Sequence, residues 1–460
     1  MLKNSRLTPY RSQDAAAILD ILAIGQPVGV AGLSNFGKST LLRHMAEPQM
    51  AQAYANTTGR GGRFVYVDCN GMLEMSAQGF YEVILRAIQE TLSDNPQLRH
   101  NIEGLYQKLV ESHGSFAIPL AFNEAIIVLM EDDHDVILLL DEFDAVLTEL
   151  DERVFLNLRA LKDKYAERLN YVTATLQPLA SVGGGDDLSE FLELFNAYKY
   201  NLRPLSPADA TDLAAEIFRQ ANDHLDLVER DYILEQAGGH PGLVQAVAHV
   251  VLEVESGAPE TYTERALSVA GDVLESHRLV RVELSKLWKQ LLSSEREAAT
   301  LVATRGVSVL TDAQRMDLLT RGVLIHEDNN SEPRLFARLL THYARRQGLI
   351  QLGTPEGVWV DIDAGMVLVD GQQVESLTDL EYRLLLLLYG RLDKICDKYQ
   401  IVEAVWGQEY LGEVDDARIE KLISRLRSKL EPDPAHPQYI STVRGRGYKL
   451  TSSKETPEEL

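Results

Sequence analysis

At 460 residues the chain has room for about three domains, each burying its own core, and its charged and hydrophobic fractions of 25% and 45% are those of a globular protein. The formal net charge of -24 argues against indiscriminate binding to polyanions, although such binding depends on local charge. No apolar run nears the roughly 18 residues that cross a bilayer, and the opening MLKNSRLTPY has no apolar signal core, so a cytoplasmic protein with no membrane partner is expected.

Short apolar runs bounded by turn residues then alternate with segments of helical period. QPVGVAG, GRFVYVDCN, DVILLLDE and LNYVTATLQ are continuous and mostly β-branched, as in parallel strands buried on both faces. An α/β sheet domain of nucleotide-binding type is the expectation.

Directly after the first run stands GLSNFGKST, which is Gly32, Leu33, Ser34, Asn35, Phe36, Gly37, Lys38, Ser39 and Thr40. Between a strand and a helix this is the phosphate-binding P-loop. Backbone N–H groups converge on phosphate oxygens only where side chains do not obstruct them. Lys38 would put a charge on the β and γ phosphates, and the Ser39 hydroxyl would ligate Mg²⁺, so ATP and Mg²⁺ are the expected cofactors.

Further on, DVILLLDEFD closes an apolar run with Asp141 and Glu142. At the carboxyl end of a buried strand both would emerge beside the phosphates. Asp141 is expected to hold the Mg²⁺ shell and Glu142 to orient or deprotonate the attacking water. An acidic pair in that position is also a common helix cap.

Cys69 and Cys396 lie far apart, with no Cys or His neighbours at metal spacing, and read as reduced core thiols. From Ser206 the pattern turns helical: SPADATDLAAEIFRQAND opens on a Ser-Pro start signal, and DYILEQAGGHPGLVQAVAHVVLEV is broken at Gly-Gly-His-Pro-Gly. Between about Thr261 and Gln347 amphipathic helices precede GVLIHEDNNSEPRLF, whose Asp-Asn-Asn suits a hairpin turn and suggests a winged helix. That turn carries Glu327 and Asp328, which favours an interdomain module over DNA contact.

Residues 8 to about 255 resemble the P-loop ATPases of the AAA+/STAND class, regulatory switches made of a sheet domain and a helical lid. The resemblance implies a polar sensor at Thr175, and an arginine two residues on where this chain has Gln177. It also implies that the break GGHPGL brings His240 and Pro241 toward the nucleotide, the alternative being a plain turn between two lid helices. Arg203 reads as a solvated arginine rather than a lid arginine, and no arginine finger is assignable.

The last segment differs in charge. From Ala417 to Lys449 there are 8 basic and 3 acidic side chains. In VDDARIEKLISRLRSKLE, Ile419, Leu422, Ile423, Leu426 and Leu430 form an apolar helix face, while Arg418, Lys421, Ser424, Arg425 and Ser428 form the opposite one, flanked by Arg427 and Lys429. An exposed arginine row fits a DNA major groove, and the closing YISTVRGRGYKL is a glycine-hinged basic hairpin.

Residues 355–452 resemble, over their whole length, the winged-helix effector domain of the OmpR/PhoB family. The matching pieces are a short N-terminal sheet, LTDLEYRLLLLLYG, IVEAVWG, ARIEKLISRLRSKLE and the final hairpin. Double-stranded promoter DNA with repeated half-sites is the implied partner. The resemblance places Arg418, Lys421, Ser424, Arg425 and Arg427 on the recognition helix and Thr442, Arg444 and Arg446 in the wing, with Leu422 where some members carry a base-contacting polar residue. It also implies RNA polymerase contact through residues 408–414.

The organisation expected is 1–200 P-loop core, 201–256 helical lid, 257–349 winged-helix-like interdomain module, 355–452 DNA-binding winged helix-turn-helix and 453–460 acidic tail. The function expected is an ATP-dependent transcriptional regulator whose nucleotide state, with slow hydrolysis and homo-oligomer assembly as one route, frees or holds the C-terminal domain. Two other classes stand beside it: a DNA-acting ATPase of origin-initiation or transposition type, and a nucleotide-dependent signalling scaffold in stress or phage response.

Overall fold

The computed structural model describes residues 11–111, 117–181, 186–257, 274, 277–326, 331–351, 357–361, 366–374, 377–392, 394–407, 416–443 and 445–451. They form two compact units, Met1–Leu340 and Thr341–Leu460.

The first unit is built on β1 (Val28–Ala31), β2 (Gly61–Asp68), β3 (His134–Asp141), β4 (Leu169–Thr175) and β5 (Lys199–Asn201), in the order β2-β3-β4-β1-β5 with every pairing parallel. All four expected strands are present. The fifth, Lys-Tyr-Asn, is short, polar and at the sheet edge, so it carries no apolar signal.

Helices α1 (Ser12–Ala23), α2 (Lys38–Met45) and α3 (Pro48–Thr58) pack along β1, β2 and β3. Val136, Leu138 and Leu140 face a large core shared with α4 (Ala77–Thr91), α5 (Pro96–Glu111), α6 (Ala117–Glu131), α7 (Asp144–Glu149), α8 (Glu152–Tyr165) and α9 (Asp186–Glu193). The alternate residues Ile137 and Leu139 are equally buried, as a sheet covered on both faces requires. Each such side chain contributes on the order of 1.5–3 kcal/mol. Register brings the functional ends together: Ala31 pairs with Thr175 and Asp68 with Asp141, so the carboxyl ends of four strands share one edge.

Three lid helices follow. Ser206 caps α10 (Pro207–Gln220) by accepting from Asp209 N, and Asp226 and Glu229 form a reciprocal capping box on α11 (Leu227–Ala237). Gly238 ends α11 in the left-handed region, where a Cβ would stand 1.6 Å from the Phe336 carbonyl oxygen. The chain then turns into α12 (Pro241–Gly257).

Next come α13 (Arg278–Gln290), α14 (Ser293–Arg305) and α15 (Asp312–Thr320), then the antiparallel pair β6 (Leu324–Ile325) and β7 (Arg334–Leu335). Residues 327–330, the acidic turn, lie outside the described residues. Sheet, lid and this module together make the first unit, and α16 (Arg338–Gln351) carries the chain into the second.

The second unit opens with the antiparallel sheet β10-β9-β8, formed by β8 (Val358–Asp361), β9 (Met366–Val369) and β10 (Gln372–Gln373). Helices α17 (Asp379–Tyr389), α18 (Lys398–Val405) and α19 (Asp416–Leu430) and the hairpin β11 (Ile440–Val443) to β12 (Gly447–Leu450) complete it. The five apolar positions of α19 are all buried in one core with α17 and α18. Backbone bonds of 2.8 and 3.0 Å between Cys396 and Tyr448 anchor the hairpin. They demand glycine at 447, with φ 132° and the Cys396 carbonyl oxygen 2.0 Å from a notional Cβ. Both cysteines are free and buried.

Candidate functional site

The P-loop runs from the end of β1 to Gly37, which caps α2 in the left-handed region at φ 90°, and Asn35 adopts the same region at φ 58°. Leu33 and Phe36 are fully buried and hold the loop from beneath. Lys38 is 5% exposed, and its ammonium donates to the carbonyls of Gly32 at 2.8 Å and Leu33 at 3.3 Å. Burial pushes its pKa below the lysine norm, while Glu142, Asp144 and Asp141 pull it back up. Lys38, Ser39 and Thr40 line a cavity of about 580 Å³ together with Glu142 and residues of α12 and α13.

Asp141 is buried at the end of β3 and accepts from the Tyr66 hydroxyl at 2.8 Å and from Glu142 N at 3.0 Å. Glu142 has φ 52°, a left-handed backbone that a glutamate rarely adopts, and it faces the cavity. Burial raises its pKa, which Lys38 partly offsets. Asp144, absent from the sequence reading, accepts from Leu176 N at 2.9 and 3.1 Å and fastens the loop after β4. Thr175 is buried and donates to the Gln177 carbonyl at 2.7 Å, so its hydroxyl orders that loop instead of lining the cavity.

His240 and Pro241 do lie at the P-loop. Leu243 N donates to His240 Nδ1 at 3.1 Å, which leaves Nε2–H to donate to the Ser34 carbonyl at 3.2 Å. The ring stacks on Phe336 at 5.9 Å and meets Phe36 edge-on at 5.1 Å. Burial lowers its pKa to about 4, so it is neutral at pH 7.

The least expected contacts come from α13. Gln290 Oε1 accepts from Ser34 N at 2.6 Å, Gln177 Nε2 donates to the Gln290 carbonyl at 3.0 Å, and Asn35 Nδ2 donates to Glu283 Oε2 at 2.5 Å. Behind them Arg321 pairs with Glu295 at 3.0 Å, both 5% exposed, and donates to the Leu176 carbonyl at 2.8 Å. On the other side Arg11, 2% exposed, donates to the carbonyls of Phe36 and Arg203 and pairs with Asp14. Of these residues Glu283, Gln290, Glu295, Arg321, Arg11 and Asp14 did not stand out in the sequence. The available signal was the seven-residue spacing of Glu283 and Gln290, two turns along one helix face.

The C-terminal surface is open. Arg418, Lys421, Ser424 and Arg425 are exposed along α19, and Thr442 and Arg446 are exposed on the hairpin. Leu422 is 5% exposed and belongs to the core. Arg427 is half-buried, donating to the Ile440 carbonyl at 3.0 and 2.6 Å and to Thr442 Oγ1 at 2.8 Å, so its guanidinium joins helix to hairpin. Glu431 accepts from the backbone N–H groups of Gln438, Tyr439 and Ile440 at 2.7 to 3.1 Å and fixes the approach to β11. Arg444, residues 408–414 and the tail 453–460 lie outside the described residues.

Residues 371–450 match the family described as "Transcriptional regulatory protein, C terminal". The second unit is a winged-helix domain of OmpR/PhoB type. Over 78 residues the chain is 47% identical to the uncharacterized transcriptional regulatory protein YrkP of Bacillus subtilis, covering 17% of this chain and 33% of that protein. It is 36% identical over 103 residues to the sensory transduction protein RegX3 of Mycolicibacterium smegmatis, covering 22% and 42%. The chain thus spans less than half the length of the curated relatives it matches.

A solved structure described as the Walker-type ATPase paby2304 of Pyrococcus abyssi aligns over 73% of this chain and 95% of its own, at 16% identity and a TM-score of 0.42. The first unit's own five-stranded parallel sheet, with a P-loop between β1 and α2, is the P-loop ATPase fold. Among the described residues no helix is long and apolar enough to cross a membrane.

Proposed function

We propose that the chain is an ATP-dependent, DNA-binding regulator of transcription in which the nucleotide held at the P-loop controls the C-terminal winged helix. The observation that carries this reading is the grip of α13 on the phosphate loop through Ser34 N–Gln290 and Asn35–Glu283. α13 belongs to the helical module that continues in sequence through α16 into the DNA-binding domain, so a change at the loop is a change at that module's first helix.

The residues present fit a nucleoside triphosphate. The cavity of about 580 Å³ suits a nucleotide-sized ligand, and Lys38 sits against it in a loop free of obstructing side chains at Gly32 and Gly37. The loop amides and Lys38 would bind phosphate oxygens, and Ser39 and Asp141 would hold Mg²⁺, which when bound neutralises phosphate charge. Glu142, held in a strained backbone facing the cavity, would orient the attacking water, and Asp144 keeps the loop beside it in place. Hydrolysis serves as a reset and is slow. On DNA, Arg418, Lys421, Ser424 and Arg425 would enter the major groove, with Thr442, Arg444 and Arg446 on the flanking backbone or minor groove. Promoter half-sites, RNA polymerase at 408–414 and homo-oligomer assembly complete the proposed partners.

Genome-wide footprinting and promoter binding with and without ATP test this reading. Lys38→Ala should abolish nucleotide binding and Glu142→Gln should trap the ATP state, each displacing DNA affinity from that of the wild type. Wild-type affinity in both variants, with and without ATP, would sink the switch. DNA-stimulated hydrolysis with little sequence preference would indicate instead an ATPase that acts on DNA.

A further inference from the structure

The cavity beside the P-loop has an unusual charge balance. Among the described side chains that line it, Lys38 and Arg278 are the permanent cations and Glu142 and Glu283 the carboxylates, so the wall is close to neutral. A nucleoside triphosphate brings about four negative charges, of which one Mg²⁺ offsets about two. Lys38 is already drawn onto two carbonyls and cannot meet every phosphate.

Of the other arginines near the loop, Arg43 lies over the Tyr66 ring, Arg203 is exposed and does not line the cavity, and Arg11 and Arg321 are committed to fixed partners. Arg11 holds Phe36, Arg203 and Asp14, and Arg321 holds Glu295 and Leu176. Gln177, which follows β4, is uncharged and has its amide on Gln290. Among the described residues that line the cavity, Arg278 is the one arginine. It is exposed at the first turn of α13, borders the cavity, and has no hydrogen bond or ion pair to any described residue. Leu279 and Val282, 46% and 43% exposed, lie on the same cavity-facing stretch of α13, and a ligand in the cavity would cover them.

We propose that Arg278 is the cation that reads the terminal phosphate, supplied within the same chain by α13, and that Glu283 on that helix opposes it, so that the site sorts triphosphate from diphosphate by charge. This rests on the nucleotide reading above. A guanidinium can meet a phosphate bidentately, and in a partly enclosed site such bonds are about twice as strong as neutral ones. The Glu283 carboxylate sits where Asn35 and α12 meet, with Oε2 2.5 Å from a notional Cβ on Gly242, and added phosphate charge would repel it. Binding and release of the γ-phosphate would therefore act on α13 with opposite signs at two residues of one helix.

The test is equilibrium competition of ATP and ADP, each with Mg²⁺, against a fluorescent nucleotide on the full chain. Arg278→Ala should weaken ATP about tenfold and leave ADP within about twofold, Arg278→Lys should recover part of the loss, and Glu283→Gln should tighten ATP several-fold. Lys38→Ala should lose both nucleotides. Equal loss of ATP and ADP in Arg278→Ala, or no loss of either, overturns the role of Arg278 and leaves the nucleotide reading standing. Wild-type binding in Lys38→Ala, or no binding by the wild type, overturns both. Arg278 is exposed, so an unchanged melting temperature is expected and confirms that the variant is folded.

Discussion

Lys38 and Arg425 are both cations that the proposed function sets against an anion, yet they are built on opposite plans. Lys38 is 5% exposed, bonded to two carbonyls and set beside the carboxylates of Glu142, Asp144 and Asp141. Arg425 stands exposed on α19, and its support comes from the apolar face behind it. The first plan fixes a donor before the ligand arrives and makes affinity depend on the fold around it. The second leaves the side chain hydrated and mobile, and makes affinity depend on charge, groove shape and salt. Substitutions around Lys38 should therefore register as stability, and substitutions around Arg425 as binding.

The contact most able to break this contrast is the Arg321–Glu295 pair. Removing one partner strands the other in the interior, so Arg321→Ala should cost about 3–5 kcal/mol of first-unit stability in denaturant unfolding. Arg425→Ala should leave that transition where it is.

The next effect is on pH. His240 is fully buried with a pKa lowered to about 4, Glu283 and Arg11 being the charges around it. Its folded pKa lies below its unfolded value, so the unfolded chain binds more protons between the two. Stability is complete above about pH 6.5 and is lost as pH falls toward 4, by about 3 kcal/mol, a slope that His240→Phe should flatten. Equal slopes in the two proteins would remove His240 from the account.

On the DNA side, Arg425→Ala should weaken binding by about 1–3 kcal/mol and relax specificity if the side chain reads a base. If it meets phosphate, all sequences should weaken alike and the salt slope should flatten by about one. A titration of cognate and scrambled duplexes across a salt series separates the two. The smallest effect belongs to Gln290→Ala, which removes one hydrogen bond from the loop. Amide exchange at Ser34 should rise about fivefold, corresponding to about 1 kcal/mol.

The buried strands were legible because a parallel sheet covered on both faces writes itself as unbroken apolar runs, and Val136 to Leu140 is such a run. The P-loop was legible because loop chemistry fixes residue type at fixed spacing. The C-terminal domain was legible because its order of elements is dense, and all five apolar positions of α19 are buried as their period requires. What escaped were polar contacts between residues far apart in the chain. Glu283 and Gln290 meet the loop across 248 and 256 positions, and nothing local distinguishes them from a solvated helix face. Arg427 misled in the opposite way, since it flanks the exposed row and the resemblance sets it on the recognition helix, while its guanidinium turns inward to Ile440.

That inward turn gives the DNA-binding domain the character of a caliper. With Arg427 fastening α19 to β11, and Glu431 fastening the segment between them, helix and hairpin form two jaws at one preset opening. A caliper cannot stretch to suit its object. In the proposed function a duplex would have to bring groove and neighbouring backbone to the distance the jaws already have, and sequences that bend or narrow easily would be chosen for their compliance as well as their bases.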